Sequence, residues 1–455
     1  MPRIKLTFLT GVAASIALFV CYSILQPELM PATMVVSGLR ATQDVVAPVD
    51  VSRYRIAARE NNCENPYAQD GFLYFQTPND LATAQYFPFY TLDRDGAAEE
   101  DPDKVIGGHR YFGGNTVPRP SSVAYASAPH NWYADLRALR QQYQQHTNRR
   151  LRIALEQRVA WMRNRTVLFI GDSTDRFLSF YMCQWGLGGK LHMAPEGMHS
   201  ASHCNIPFLN FTIITWHVAS VYETRPEWWI VQKMKLVSWE DRWREFYMPS
   251  LVKGDYAGHG TARVRPDMVV VQSGLWDHLM FMFARHAQKG MEAKTQAQKN
   301  AMKAAAVDHT LPLNYRELRY YIRRMDKILS DVMTEFPDTP LVCRSLTQRH
   351  DGVENAGIHQ LEQALAYACR KRDVEMMPFG RIVRGLMGVK NMYADRVHFR
   401  EGVISSVYDN IMLWYLHRAA GGVEQRGKLV VNASTEPTSI ESWNRCHSYF
   451  MLDSA

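Results

Sequence analysis

The chain has 455 residues, of which 46% are hydrophobic and 21% charged, with a formal net charge of +7. This apolar share folds most of the chain around a buried core, and the length suits one large domain with accessory segments, not several unrelated enzymes. The positive excess is mild. The arginines Arg137, Arg140, Arg149, Arg150, Arg152, Arg158, Arg163 and Arg165 accompany no nucleic-acid-binding motif, so they read as a solvated helix face and no nucleic-acid partner is expected.

At the N-terminus, Arg3 and Lys5 precede a run without charge from Leu6 to Leu25. At helical rise that run spans roughly 30 Å, the hydrocarbon thickness of a bilayer. It is longer than a signal-peptide core, and no small-x-small cleavage site follows Leu25. A retained signal anchor is therefore read over a cleaved signal peptide. Cations before the span place the N-terminus in the cytosol, which makes the expectation a single-pass type II membrane protein facing the Golgi or ER lumen. Cys21 lies in the span, leaving Cys63, Cys183, Cys204, Cys343, Cys369 and Cys446. In an oxidising compartment these form up to three disulfides, with buried free thiols as the other reading. Sequons at Asn164, Asn210 and Asn432 suit the same compartment, and Asn432, away from any core strand, is the best placed to carry sugar.

Residues 26–55, with Pro27, Pro31 and Pro48, read as a stem, and 56–130 as a loop-rich N-terminal lobe containing Tyr86-Phe-Pro-Phe-Tyr90. The main domain is expected over 131–420, with a tail over 421–455. Trp132 to Arg163 has apolar residues at helical spacing. Short apolar strands are then expected at Thr166–Ile170, Phe211–Trp216, Asp267–Gln272, Pro340–Arg344 and Val374–Met377. Helices are expected at Asp175–Trp185, Tyr315–Phe336, Ile358–Arg372 and Glu401–His417, and Ala284–His309 reads as an exposed polar insertion. Strands alternating with helices imply right-handed crossovers and a parallel sheet covered on both faces. Most of the 22 Tyr and 11 Trp belong to the core, though some could line a sugar-stacking cleft.

The segment with most chemistry is Val167-Leu-Phe-Ile-Gly-Asp-Ser-Thr-Asp-Arg176. It puts Ser173 where a buried strand meets a helix, at the carboxyl edge of the sheet, and the helix amino terminus offers free N–H groups to an oxyanion. Taken alone, Asp172 or Ser173 could equally be a helix cap. The second segment is Tyr393-Ala-Asp-Arg-Val-His398, 225 residues beyond Ser173 by its histidine. Asp395 can reach the imidazole Nδ1 of His398 and aim Nε2 at a serine, the base-plus-orienter logic of a hydrolytic triad. Asp-x-x-His also suits a metal pair, but no third or fourth ligand is evident.

Gly171-Asp-Ser173 with Asp395-x-x-His398 resembles the SGNH/GDSL hydrolase superfamily. Ile170-Gly-Asp-Ser-Thr-Asp-Arg176 and Val271-Gln-Ser-Gly-Leu-Trp-Asp277 resemble its PC-esterase branch, which includes trichome-birefringence-like wall-polysaccharide acetyltransferases and the luminal domains of capsule and sialic-acid O-acetyltransferases. The likeness covers about residues 160–420. It implies an SGNH-type three-layer α/β sandwich, preceded here by the transmembrane helix and stem, with Ser173 as nucleophile and His398 and Asp395 as base and orienter. The superfamily's oxyanion asparagine is replaced by Trp276, which otherwise reads as core. The implied oxyanion donors are therefore the N–H groups of Ser173 and Gly274, with Arg176 assisting. The second-block glycine is not placed; Gly186, Gly188 and Gly189 are candidates. Asp277 and His278 look like a second acid–base pair but read better as a loop anchor.

The implied activity is O-acyl transfer, O-acetyl above all, to glycans or polysaccharides through an acyl-Ser173 intermediate. The alternatives are an esterase acting on carbohydrate, lipid or small esters and a silent glycan-binding scaffold. No bound cofactor is expected. A transferase would need an acyl donor derived from acetyl-CoA, delivered in soluble form or by a separate membrane partner.

Overall fold

The computed structural model describes residues 65–77, 81, 84–91, 122–193, 199, 201–218, 220–221, 238–248, 265–292, 312–352, 355–425 and 427–444. Its centre is a seven-stranded sheet. β1 (Gly71–Tyr74) and β2 (Gln85–Pro88) form a separate antiparallel hairpin, and the sheet is built from β3 (Thr166–Gly171), β4 (Lys190–Met193), β5 (Ala201–Ile206), β6 (Phe211–His217), β7 (Met268–Val271), β8 (Leu341–Arg344) and β9 (Glu375–Met377) in the order β4-β5-β6-β3-β7-β8-β9. β6, β3, β7, β8 and β9 run parallel, and β4 and β5 complete one edge antiparallel.

Every residue of β3, β6, β7 and β8 is buried, which is why those strands appear in the sequence as mostly apolar runs rather than alternations, with Thr212 and Thr215 inside β6 and His217 and Arg344 at the strand ends. The expected parallel strands are all present. The antiparallel edge was not foreseen, because His192, His203 and Asn205 break its apolar pattern and its pairing partner is supplied only by the fold.

Two helix groups pack on the sheet. One contains α1 (Trp132–Gln145), α2 (Arg149–Arg158), α3 (Ser173–Phe180) and α7 (Val403–Ala419); the other contains α4 (Leu275–Glu292), α5 (Tyr315–Glu335) and α6 (Asn355–Lys371). α7 is buried along its whole length, including its polar residues Ser405, Ser406, Asp409, Asn410, His417 and Arg418. α5 instead buries one face, Tyr321, Met325, Ile328, Leu329 and Val332, and starts at an Asn314–Glu317 capping box. The single helix read over Trp132–Arg163 is two helices. His146 adopts a left-handed conformation (φ 52°) that ends α1, and Asn148 caps α2 by accepting from Leu151 N–H at 3.0 Å. The insertion read over Ala284–His309 begins as the second half of α4; residues 293–309 lie outside the described residues.

The chain around the domain is drawn into the same core. Tyr67, Ala84 and Tyr86 on one side and Ile440 and Trp443 on the other belong to the main hydrophobic cluster, and Arg418 stacks 4.1 Å over the Trp443 ring. Among the described residues two disulfides are present, Cys183–Cys204 and Cys343–Cys369. Cys63 and Cys446 lie outside the described residues.

The expectation of a single-pass membrane protein facing the Golgi or ER lumen is corrected: among the described residues no helix is long and apolar enough to cross a membrane. The longest, α5, carries charges at Arg316, Glu317, Arg319, Arg323, Arg324, Asp326 and Lys327. Residues 1–55, read as anchor and stem, lie outside the described residues. Of the sequon asparagines, Asn210 donates to the side chain of Asn164 at 2.9 Å, so these two amides are engaged with each other, whereas Asn432 is exposed.

Candidate active site

β3 delivers Ser173, the candidate nucleophile. A Cβ at its last residue, Gly171, would stand 2.1 Å from the Asp175 carboxylate, so only glycine lets the strand turn directly into α3. Asp172 caps the helix, accepting from Thr174 N–H at 2.8 Å. Ser173 is the first helical residue, so its own N–H has no intrahelical acceptor and lies at the positive end of the helix dipole. Capping and nucleophile, which compete as readings of the sequence, are thus divided between neighbouring residues.

The candidate base, His398, comes from the other end of the chain. Tyr393 and Phe399 bridge antiparallel, and Ala394 N–H donates to His398 C=O at 2.8 Å, closing residues 394–398 into a tight loop. Within it Asp395 Oδ1 accepts from the N–H groups of Val397 (2.7 Å) and His398 (2.8 Å), and Oδ2 lies 2.7 Å from His398 Nδ1. His398 Nε2 is 2.7 Å from Ser173 Oγ. Burial would push the Asp395 carboxyl up, but the hydrogen bond and charge of His398 and the two backbone N–H groups outweigh it and hold it down at about 2. Asp395, His398 and Ser173 therefore form one unbroken hydrogen-bonded chain.

Beneath the serine lies a charged floor. Asp175 pairs with Arg344 (Nε–Oδ1 2.6 Å) and accepts from Gln272 Nε2 at 2.7 Å and from Tyr408 OH at 2.9 Å. Side chains from α3, β8, the end of β7 and α7 meet there, with Arg344 and Asp175 both almost fully buried. Asp172 beside them is pushed up by burial and by the Asp175 charge, against the pull of Arg344.

Between the start of α3 and strands β5 and β6 a cavity of about 10 Å³ is lined by Asp172, Asp175, Arg176, Ser202, Thr215 and His217, among others, which is room for about one water. Arg176 is buried, its Nε and Nη1 have no hydrogen-bond partner, and burial lowers it to about 10 against the opposing pull of Asp172. His217 ends β6 beside Gly171, and neither of its ring nitrogens is hydrogen-bonded. Burial first, then the charges of Arg176 and Arg242, holds it well below the ordinary histidine range and therefore neutral. Trp276, in the first turn of α4, is partly exposed and meets His199 and His217 edge-on at 6.1 and 6.2 Å, so it faces the site and is not part of the core.

Gly274 precedes α4 and is packed so closely against Leu346 that a Cβ would meet Cδ1 at 2.3 Å. Asp277 anchors a loop: it accepts from Ser220 Oγ (2.6 Å), Val221 N–H (2.7 Å) and Ser273 Oγ, and burial pushes it up to about 6. Gly186, Gly188 and Gly189 pack against Tyr133, Arg140 and Cys183 at the opposite end of the helical run from Ser173 and are not brought to the nucleophile. Among the described residues no group of three or more His, Cys, Asp or Glu could hold a metal ion.

The sequence reading missed His217, Arg344, Gln272 and Tyr408. The signal available was a polar residue closing an apolar strand at its carboxyl end, as His217, Gln272 and Arg344 do. Tyr408, inside a buried helix, gave none.

No family model and no curated protein sequence matches the chain. Among solved structures it is similar to a GDSL-like lipase candidate from Parabacteroides merdae (12% identity, TM-score 0.32, covering 55% of this chain and 97% of that one). It is also similar to a mutant acetyl-xylooligosaccharide esterase from Geobacillus stearmophilus (11%, 0.30, 55% and 94%) and to an acetyl xylan esterase (11%, 0.30, 55% and 98%). Likenesses this distant carry no functional argument.

Proposed function

We propose that the chain is a serine-dependent acyl-transfer enzyme of SGNH type, acting on acyl esters of glycans through an acyl-Ser173 intermediate. The observation that carries this reading is the pair of 2.7 Å contacts that join Asp395, His398 and Ser173 in one line. A merely structural Asp-x-x-His loop has no reason to aim its free nitrogen at a serine on another element, and the same alignment speaks against a silent scaffold.

In this reading His398 Nε2 takes the proton of Ser173 as Oγ attacks the ester carbonyl. Asp395 stays ionised and steadies the imidazolium. The oxyanion is stabilised by the N–H of Ser173, the N–H of Gly274 and the unbonded guanidinium nitrogens of Arg176, in a position where water is largely excluded. As the tetrahedral intermediate collapses, the carbonyl–alkoxy bond breaks and His398 returns its proton to the departing hydroxyl. The acyl group then leaves Ser173 for a second hydroxyl by the reverse sequence. We take that acceptor to be a sugar hydroxyl. A second reading, water as acceptor and hence an esterase, is favoured by the 56% and 21% side-chain exposure of Asp395 and His398, which leaves water a route to the acyl-enzyme.

The test uses p-nitrophenyl acetate and then acceptor sugar. Ser173→Ala should lower turnover on the order of 10⁴-fold or more with unchanged circular dichroism, and a fluorophosphonate should label the wild type at Ser173. Wild-type turnover in the mutant would end the assignment. Acceleration of acyl release by added sugar, with acylated sugar as product, marks a transferase; release to water alone at every sugar concentration marks an esterase.

A further inference from the structure

α3 begins at Ser173 and passes without a break into a π-helical turn, Tyr181–Gly186. Three aromatic residues lie four apart along this run. The Phe177 ring packs against the imidazole of His398, with centroids 4.7 Å apart, and the Arg176 guanidinium lies 5.4 Å from the Phe177 ring centroid. Phe177 and Tyr181 are 6.4 Å apart, and Tyr181 and Trp185 are 4.9 Å apart with planes inclined by 37°. Tyr181 is buried and held by its hydroxyl, which donates to Phe399 C=O at 2.9 Å. Phe177 is partly exposed and Trp185 is 52% exposed, the one tryptophan among the exposed large hydrophobic side chains of the described residues. Eight residues at helical rise separate Phe177 from Trp185 by roughly 12 Å.

We infer that Phe177 and Trp185 form a stacking ledge for the sugar chain of the glycan substrate, leading away from the catalytic histidine. The inference rests on the glycan reading above and names where that chain lies. The C–H faces of a pyranose ring present weakly positive hydrogens to the negative face of an indole, while its hydroxyls need polar neighbours. The surroundings of Trp185 meet both needs. Gln184 beside it is exposed, and Arg140 reaches the segment, donating through Nη1 to the carbonyls of Trp185 and Gly186 at 2.6 Å each. A single exposed indole with polar neighbours suits a sugar and does not provide the broad apolar patch that a lipid chain would cover.

The ledge is also held rigid in advance. The Cys183–Cys204 disulfide ties the π turn to β5, and Gly186 is pressed so closely on Tyr133 that a Cβ would meet its hydroxyl at 2.0 Å. A preformed platform loses little entropy when the chain docks, and π turns recur at functional sites for this kind of local reshaping.

The test compares kcat/KM of the full chain on acetylated sugars of increasing length, from monosaccharide to hexasaccharide. In the wild type kcat/KM should rise about ten-fold once the chain is long enough to reach Trp185. Trp185→Ala should abolish the rise, and Trp185→Phe should keep most of it. A rise that persists in Trp185→Ala, or no rise in the wild type while the monosaccharide ester is turned over, overturns the ledge and leaves the glycan reading standing. Turnover of p-nitrophenyl acetate with none of any sugar ester overturns both.

Discussion

A carboxylate that orients a histidine must stay ionised without taking the proton, and in the triad proposed for this chain Asp395 meets that demand while partly open to water. Its hydrogen bonds from His398 and the backbone hold it at about 2, below the ordinary 3.8. A depressed carboxyl stabilises the fold fully above its unfolded pKa and loses that contribution as pH falls through the folded one. The stability difference between wild type and Asp395→Asn should therefore be constant above about pH 4 and vanish as pH approaches 2; denaturant midpoints across that window check it, and a difference that grows on acidification would contradict the assignment. In activity, Asp395→Asn should cost about 10³–10⁴-fold in kcat with little change in KM, because the wrong imidazole tautomer is then favoured. Steady-state kinetics on p-nitrophenyl acetate separates the two parameters.

The central strands do different jobs at their two ends. The carboxyl ends of β3, β6, β7 and β8 supply or adjoin Ser173, His217, Gln272 and Arg344, while the amino ends of β3 and β7 are locked to each other. At the start of β3, Arg165 pairs with Asp267 just ahead of β7 (2.7 Å, both almost fully buried), and Asp267 accepts from Thr166 N–H at 2.8 Å. Arg165 also donates to the carbonyls of Trp161 (3.0 Å) and Ser434 (2.6 Å). Removing one partner strands a buried charge, so Asp267→Ala should destabilise by about 3–5 kcal/mol. Urea unfolding measures it; a loss below about 1 kcal/mol would mean that water reaches the site as it does at a surface pair.

At the scale of the whole molecule, the two disulfides among the described residues join elements that the sheet alone does not hold. Cys343–Cys369 fastens β8 to α6 and encloses a loop with a sequence separation of 26, which in a chain-entropy account stabilises by ~3 kcal/mol. The double substitution Cys343→Ser, Cys369→Ser should lower the thermal midpoint by several degrees without removing activity, since neither cysteine lies at Ser173. Calorimetry with a parallel activity assay tests both halves. Residues on either side of the domain, Tyr67 and Trp443 among them, complete the same core, so trimming the chain to the expected limits at 131 and 420 should expose apolar surface.

The sequence by itself pointed to the five parallel strands and to Ser173 and His398 as the candidate nucleophile and base, because a fully buried strand is mostly apolar and a strand-to-helix turn this tight needs the glycine at 171. Both are local demands, readable within a few residues. Only the tertiary structure decided what depends on distant segments meeting. It brought His398 to Ser173, placed Arg344 and Tyr408 beneath the nucleophile, and turned Trp276 towards His217. It also selected two disulfides from the possible pairings and left Trp185 exposed while its neighbour Tyr181 is buried. Burial and partnership belong to pairs of surfaces, and a single chain position carries no record of which surface will cover it.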